Sequence, residues 1–185
     1  HQRLAGGEPG AAPTTHLPQA DDPSLRLLRR VGVADPASID DYRAHGGYAA
    51  LRRALELGPD GVLREVKDSK LVGRGGAAFP TGVKWEAVAR QPARPHFLVC
   101  NADESEPGTF KDRYVMELRP QLLLEGVEAA MRFCETDEAY VYLRVEYAAA
   151  RRTLEEAIAA RTQVTQCYKV TIVVGAGSYV CGEET

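Results

Sequence analysis

Nowhere does this chain carry five or more consecutive basic residues, and its net charge is only -3 over 185 residues, so no broad positive field exists to draw in nucleic acid. Nucleic-acid binding is set aside on that ground. No apolar run reaches the roughly 18 to 20 residues that a bilayer-spanning helix needs, and the N-terminus has no charged-then-apolar leader with a small-residue cleavage site. These absences read as a soluble, cytoplasmic chain. Cysteine is scarce: Cys100, Cys134, Cys167 and Cys181 lie far apart, with no CxxC pair and no His-x-x-x-His to complete a zinc site. The expectation is that this stretch binds no metal, and that each thiol packs as a small hydrophobe or lies beside a ligand.

Large apolar side chains are scarce in the first 24 residues, which have only Leu4 and Leu17, are rich in Gly, Ala and Pro and cannot bury enough surface to offset the entropy of ordering. Residues 1–37 are expected to be a flexible tail or linker, and 38–185 a single domain. From Ser38 the pattern changes. "SIDDYRAHGGYAALRRALEL" predicts a Ser N-cap, an acidic first turn, a Gly-Gly interruption and then helical spacing through Leu57. "DGVLREVKDSKL" predicts a further short amphipathic helix, and "TGVKWEAVAR" another from Thr81, broken by Pro92 and Pro95. "HFLVCNAD" reads as a buried strand, and "ESEPGTFKDR" as a loop leading into a helix over "LRPQLLLEGVEAAMRFC" with Pro120 in its first turn. "AYVYLR", "EYAAARRTLEEAIAAR" and "YKVTIVVGAG" then predict strand, helix and strand. Strands joined by helical connections of this length pair in parallel with right-handed crossovers. The expected fold is an open, mainly parallel α/β sheet with flanking helices, whose ligands lie outside the carboxyl ends of the strands.

Three loops carry the chemistry. "GRGGAAFPTGVKW" matches G-x-G-x-x-A, but a charged helical segment precedes it and position 98 is Leu, so it is not a dinucleotide fingerprint; Val83 after Gly82 rules out a phosphate loop of the GxxxxGK[ST] type. Its glycines let backbone N–H groups approach an anion, the helix from Thr81 adds a positive end, and Arg74 and Lys84 supply charge. A phosphate is the natural occupant; a glycine-rich turn with solvated cations is the plain alternative. "NADESEPGT" gathers Asp103, Glu104 and Glu106, followed by Asp112. Such a cluster needs either solvent or a ligand that brings donors. General acid/base catalysis finds no histidine or serine dyad here, since His96 sits at a strand start and His45 in a helical turn. "GAGSYVCGEET" opens G-x-G after a strand but has Val180 where a third glycine belongs. Tyr179 could cover an aromatic ligand there or sit in the core.

Taken in order, these three stretches resemble the NADH-binding flavoprotein subunit of respiratory complex I and its relatives, the diaphorase subunits of NAD-reducing hydrogenases and NAD-dependent formate dehydrogenases. The resemblance runs from about Ser38 to Thr185 and implies a Rossmann-like domain that holds FMN noncovalently, takes a hydride from NADH and passes single electrons to iron-sulfur clusters. It implies flavin contacts from Gly73, Arg74, Gly75, Gly76 and Lys84, and a cradle of Asn101, Asp103, Glu104 and Ser105. Tyr179, Gly182, Glu183 and Glu184 match flavin or nicotinamide neighbours, while Phe79 resembles the aromatic on the adenine and Glu106 the acid beside the nucleotide ribose. Glu106 and Glu184 would repel an extra 2′-phosphate, favouring NADH over NADPH. No side chain need act as an acid/base catalyst.

The family continues into a ubiquitin-like domain and a helical bundle whose cysteines hold a [4Fe-4S] cluster; those ligands are not in this sequence, which reads as a fragment truncated at its C-terminal end. The implied partners are a thioredoxin-like [2Fe-2S] subunit or domain and further iron-sulfur subunits. Ala78 stands where relatives commonly have glycine, and Glu86 and Ala87 where they often have a second aromatic. An Rnf-type electron-transfer subunit shares the first loop, but "NADESEP" favours the complex I side. A nucleotide-binding or structural domain without electron transfer is the reading from a different class.

Overall fold

The computed structural model describes residues 24–74, 76–162 and 169–177. Residues 24–37 form successive turns, with Ala34 buried and the Asp35 N–H donating to the Asp41 carboxylate. Ser38 caps helix α1, Ile39–Ala44, by accepting from the Asp41 N–H at 3.1 Å. The Gly-Gly break follows as expected, and α2 spans Ala49–Asp68. The sequence predicts two separate helices here. They are two helical segments joined directly at a kink, where Gly58 takes φ +70° and Pro59 enters the first turn of the second segment.

Helix α3 runs Thr81–Ala89 and leads to strand β1, Phe97–Ala102. Helix α4, Lys111–Leu118, occupies the end of the segment expected to be loop, and α5, Pro120–Phe133, starts on its proline. Strand β2 is Glu138–Leu143, helix α6 is Ala148–Thr162 and strand β3 is Val170–Val174. The strands pair in parallel in the order β1-β2-β3, in register Val99↔Tyr140 and Tyr140↔Thr171. The open, parallel sheet is therefore as the sequence predicts.

Alternation along each strand puts Leu98, Cys100, Ala102, Ala139, Val141 and Leu143 on one face. Met131 of α5, Met116 of α4 and Ala150 and Leu154 of α6 pack there with almost no exposure. Each such large side chain contributes about 1.5–3 kcal/mol over an exposed position. The opposite face differs from expectation: Phe97 is 53% and Val99 64% exposed, so β1 is buried on one side only. Both crossovers advance in the same direction along the sheet, and so lay their helices on the same face. A third cluster, Tyr42, Tyr48 and Leu51 with Leu122 and Ala129, fastens the N-terminal helices to the outside of α5.

Candidate functional site

The glycine loop is pinched at its base. Val72 and Pro80 form an antiparallel bridge, the Gly73 N–H donates to the Phe79 carbonyl at 2.9 Å, and the Thr81 N–H donates to the Leu71 carbonyl at 2.9 Å. The two ends of the loop are thereby drawn together directly before the N-terminus of α3, whose N-cap, Pro80, offers no side-chain acceptor. Arg74, Gly76 and Lys84 are exposed there, and Phe79 is 46% exposed. The base is close to α2: a Cβ on Gly82 would lie 2.6 Å from Lys67 Cγ and 3.1 Å from its backbone nitrogen. Gly76 takes φ +107°, which suits glycine, but Ala78 also takes a left-handed φ of +51°. That conformation costs a non-glycine residue about 1 kcal/mol. Ala78→Gly is therefore expected to leave stability unchanged or raise it by up to about 1 kcal/mol, despite glycine's larger unfolded-state entropy. Urea denaturation of the two proteins checks this; a loss above about 1 kcal/mol would refute the strain.

The second loop begins at the carboxyl end of β1. Asn101 Oδ1 accepts from the Asp103 N–H at 3.1 Å, and Asp103 Oδ2 accepts from the Ser105 hydroxyl at 2.8 Å. Asp103 Oδ1 is buried and has no hydrogen-bond partner among the described residues. Glu106 is exposed and opens a turn in which its carbonyl accepts from the Thr109 N–H at 3.1 Å. Glu104 behaves differently from its neighbours. Its carboxylate is buried, and accepts from the Asp112 and Arg113 N–H groups at 2.9 and 3.2 Å and from the Tyr147 hydroxyl at 3.0 Å. Burial, and then this bond to Glu104, raise the Tyr147 phenol above its ordinary range.

Arg144 is a site residue that the sequence reading misses. It follows β2, donates to the Glu104 carbonyl and to the Glu146 carboxylate at 2.9 Å, and lies 5.2 Å from the centre of the Tyr147 ring. A lone cation after a strand carries no motif; its position beside the expected ligand edge is the only signal that could have found it. The third loop starts in the same place, with the Gly175 N–H donating to the Leu143 carbonyl at 2.8 Å. A Cβ on Gly175 would meet the Tyr142 hydroxyl at 2.6 Å, and one on Gly177 would meet Val145 Cγ1 at 3.2 Å. Asn101, Asp103, Glu104, Ser105, Arg144 and Gly175 are thus assembled at the carboxyl edge of the sheet. Gly75, Tyr179, Gly182, Glu183 and Glu184 lie outside the described residues.

The cysteines on the described elements are quiet. Burial pushes the Cys134 thiol up to about 11, and burial with the Asp112 charge does the same to Cys100. Neither is a thiolate nucleophile at neutral pH. Among the described residues no group of three or more His, Cys, Asp or Glu side chains could hold a metal ion, and no helix is long and apolar enough to cross a membrane.

In a parallel α/β sheet the carboxyl ends of the strands, where the second and third loops start here, are the edge at which ligands bind. The family described as "Nuo51 FMN-binding domain" matches residues 66–185, and the chain belongs to it. It is 47% identical over 170 residues to the second F-type subunit of NADH-quinone oxidoreductase from Rhizobium meliloti, a match covering 86% of this chain and 40% of that protein. It is 41% identical over 162 residues to the F-type subunit of NADH-quinone oxidoreductase from Escherichia coli, covering 81% of this chain and 36% of that one. The chain therefore spans about two fifths of the length of these relatives. A solved NAD+-reducing [NiFe]-hydrogenase in the H2-reduced state shares the fold with a TM-score of 0.67 and 38% identity, over 86% of this chain and 26% of that chain.

The residues present fit FMN. Asp103 Oδ1 is a buried acceptor with no donor among the described residues, and an isoalloxazine N–H or a ribityl hydroxyl is a donor of the right kind. The glycine loop before α3 offers backbone N–H groups and Arg74 to a phosphate.

Proposed function

We propose that this chain is the FMN- and NADH-binding part of an NADH:acceptor oxidoreductase, its domain running from about Ser38 and continuing into further polypeptide of the same subunit. The observation that supports the reading is the buried Asp103 Oδ1, without a partner among the described residues, at the carboxyl edge of a sheet of this family. Bound FMN would supply the exchange between two-electron and one-electron chemistry that no side chain offers.

The chain's own residues bind and orient. Gly73, Gly75 and Gly76 give backbone access to the phosphate, and Arg74 and Lys84 neutralise it. Asn101, Asp103 and Ser105 present acceptors and a hydroxyl to the ribityl chain and ring edge, joined by Tyr179, Gly182, Glu183 and Glu184. Phe79, nearly half exposed on the glycine loop, stacks on the adenine of NADH. Glu106 accepts from the nucleotide ribose and repels a 2′-phosphate. Electrons leave to iron-sulfur partners, a thioredoxin-like [2Fe-2S] protein or domain among them, in an assembly on the cytoplasmic side.

Reconstitution tests the reading. The intact subunit titrated with FMN should gain a bound flavin absorbance that bleaches on anaerobic addition of NADH; a subunit that takes up no FMN would end the proposal. In the reconstituted protein, Glu106→Gln should raise the NADPH to NADH ratio of kcat/KM about tenfold, the equivalent of losing one like-charge repulsion of about 1.4 kcal/mol. An unchanged ratio would remove Glu106 from the nucleotide site.

A further inference from the structure

We propose that Glu104 is a positioning residue: its carboxylate does not touch the flavin, but locks residues 101–109 to α4 and α6 so that Asp103 is held toward the ligand. The inference rests on the FMN reading above and assigns a distinct task to one residue of that loop.

The geometry separates Glu104 from its neighbours. Its side chain is only 2% exposed. Helix α4 begins at Lys111, and its N-cap, Phe110, has no side-chain acceptor for the first-turn N–H groups. Glu104 supplies that acceptor from eight residues upstream of Asp112. One carboxylate oxygen takes the Asp112 N–H, and the other takes the Arg113 N–H and the Tyr147 hydroxyl. An anion at this position also meets the positive end of α4. The carbonyl of the same residue accepts from Arg144, so Glu104 is tied at both its backbone and its side chain. The side chains of Asp103 and Ser105, on either side, bond to each other, leaving Asp103 Oδ1 without a partner among the described residues. Three donors already engage the Glu104 carboxylate, and at 2% side-chain exposure it presents almost no surface to a ligand.

Tyr147 makes the proposal testable, because its hydroxyl meets the loop through Glu104 while its ring stacks against Arg113 and Arg144. In the intact subunit, Glu104→Gln should weaken FMN binding at least tenfold, since an amide nitrogen would replace an acceptor facing N–H donors. Tyr147→Phe should weaken it about threefold, and should have no further effect in the Glu104→Gln background. Denaturant midpoints of the FMN-free proteins are measured alongside: a residue that only stabilises the fold would shift them and leave the FMN dissociation constant unchanged. Amide hydrogen exchange without FMN supplies a separate readout, with faster exchange expected over residues 101–113 in either variant. If Tyr147→Phe alters neither FMN affinity nor exchange in that segment, the positioning role is wrong. If the wild-type subunit binds no FMN, the functional reading fails, while the exchange experiment still decides whether Glu104 anchors the loop. Should Glu104→Gln not fold, Tyr147→Phe carries the test alone.

Discussion

Replacing Arg161 with leucine is expected to lower the free energy of unfolding by about 3 kcal/mol, among the largest losses available from a single substitution in this chain. Arg161, at the end of α6, pairs with Glu128 of α5, and the two side chains are only 6% and 7% exposed. The same guanidinium lies 5.3 Å from the centre of the Tyr48 ring, so one residue joins α6, α5 and the entry to α2. Removing it leaves a carboxylate in a low-dielectric interior. Glu128 keeps a second partner, Arg132, at 3.0 Å, which is why the expected loss stands at the lower end for a broken buried pair. The double variant Arg161→Leu, Glu128→Leu should recover most of the stability, because the buried carboxylate is removed together with its buried partner, while Arg132 is 30% exposed and within reach of solvent. Urea denaturation of both variants checks this; a single-variant loss below about 1 kcal/mol would show that Glu128 is adequately held by Arg132.

The second large effect is expected at Glu125. Its carboxylate, on α5, accepts from the Tyr42 hydroxyl, from the Tyr48 N–H at 2.8 Å and from the Leu51 N–H at 3.1 Å. Tyr48 takes a left-handed φ of 61° at the N-cap of α2 and provides no side-chain cap itself. Glu125 therefore caps α2 from another helix, at the end where a negative charge is favoured. Glu125→Ala is expected to cost about 3 kcal/mol, the loss of charge-assisted bonds that leave buried donors unpaired. Glu125→Gln, which keeps one acceptor, should cost about half as much. Burial first, and then the bond to Glu125, raise the Tyr42 phenol well above its ordinary value. The unfolded chain therefore gives up that proton first, and the contribution is complete below about pH 10 and lost as pH rises further. Tyr42→Phe should flatten the alkaline limb of the stability profile; an identical limb would mean that other groups set it.

These two carboxylates, with Glu104, mark the boundary of what sequence reading reaches. The helices that begin on local signals were legible: Ser38 caps α1, Thr81 opens α3 and Pro120 opens α5. The parallel sheet was legible because strands separated by helical stretches have few other ways to pair. Helix α4 was not, because its cap comes from Glu104, across a loop, and a Phe at the N-cap position is no start signal. The glutamates themselves are ordinary members of charged or amphipathic segments until the fold buries them. The exposed side of β1 was hidden for a similar reason: an apolar run says that a strand can be covered, and the direction of the crossovers decides which face is. At the candidate site, the Asn101–Glu106 stretch was placed at a strand end by its order in the sequence, and it lies there. That Glu104 turns inward while Asp103 keeps an open valence depends on Tyr147 and Arg144, about 40 residues on.

Strand order has a consequence for the timing of assembly. Phe97 pairs with Glu138, 41 residues later, and Ala139 with Val170, 31 residues later; in neither pairing are the partners joined by a tight hairpin. Closing such long loops is slow unless the intervening chain has already shortened itself into helices. Helices α5 and α6 shorten those connections, and the edge bearing Asn101, Arg144 and Gly175 exists only once both closures are complete. The candidate binding edge is therefore expected to form late in folding, and partial unfolding of either crossover is expected to erase it while much of the helical content survives.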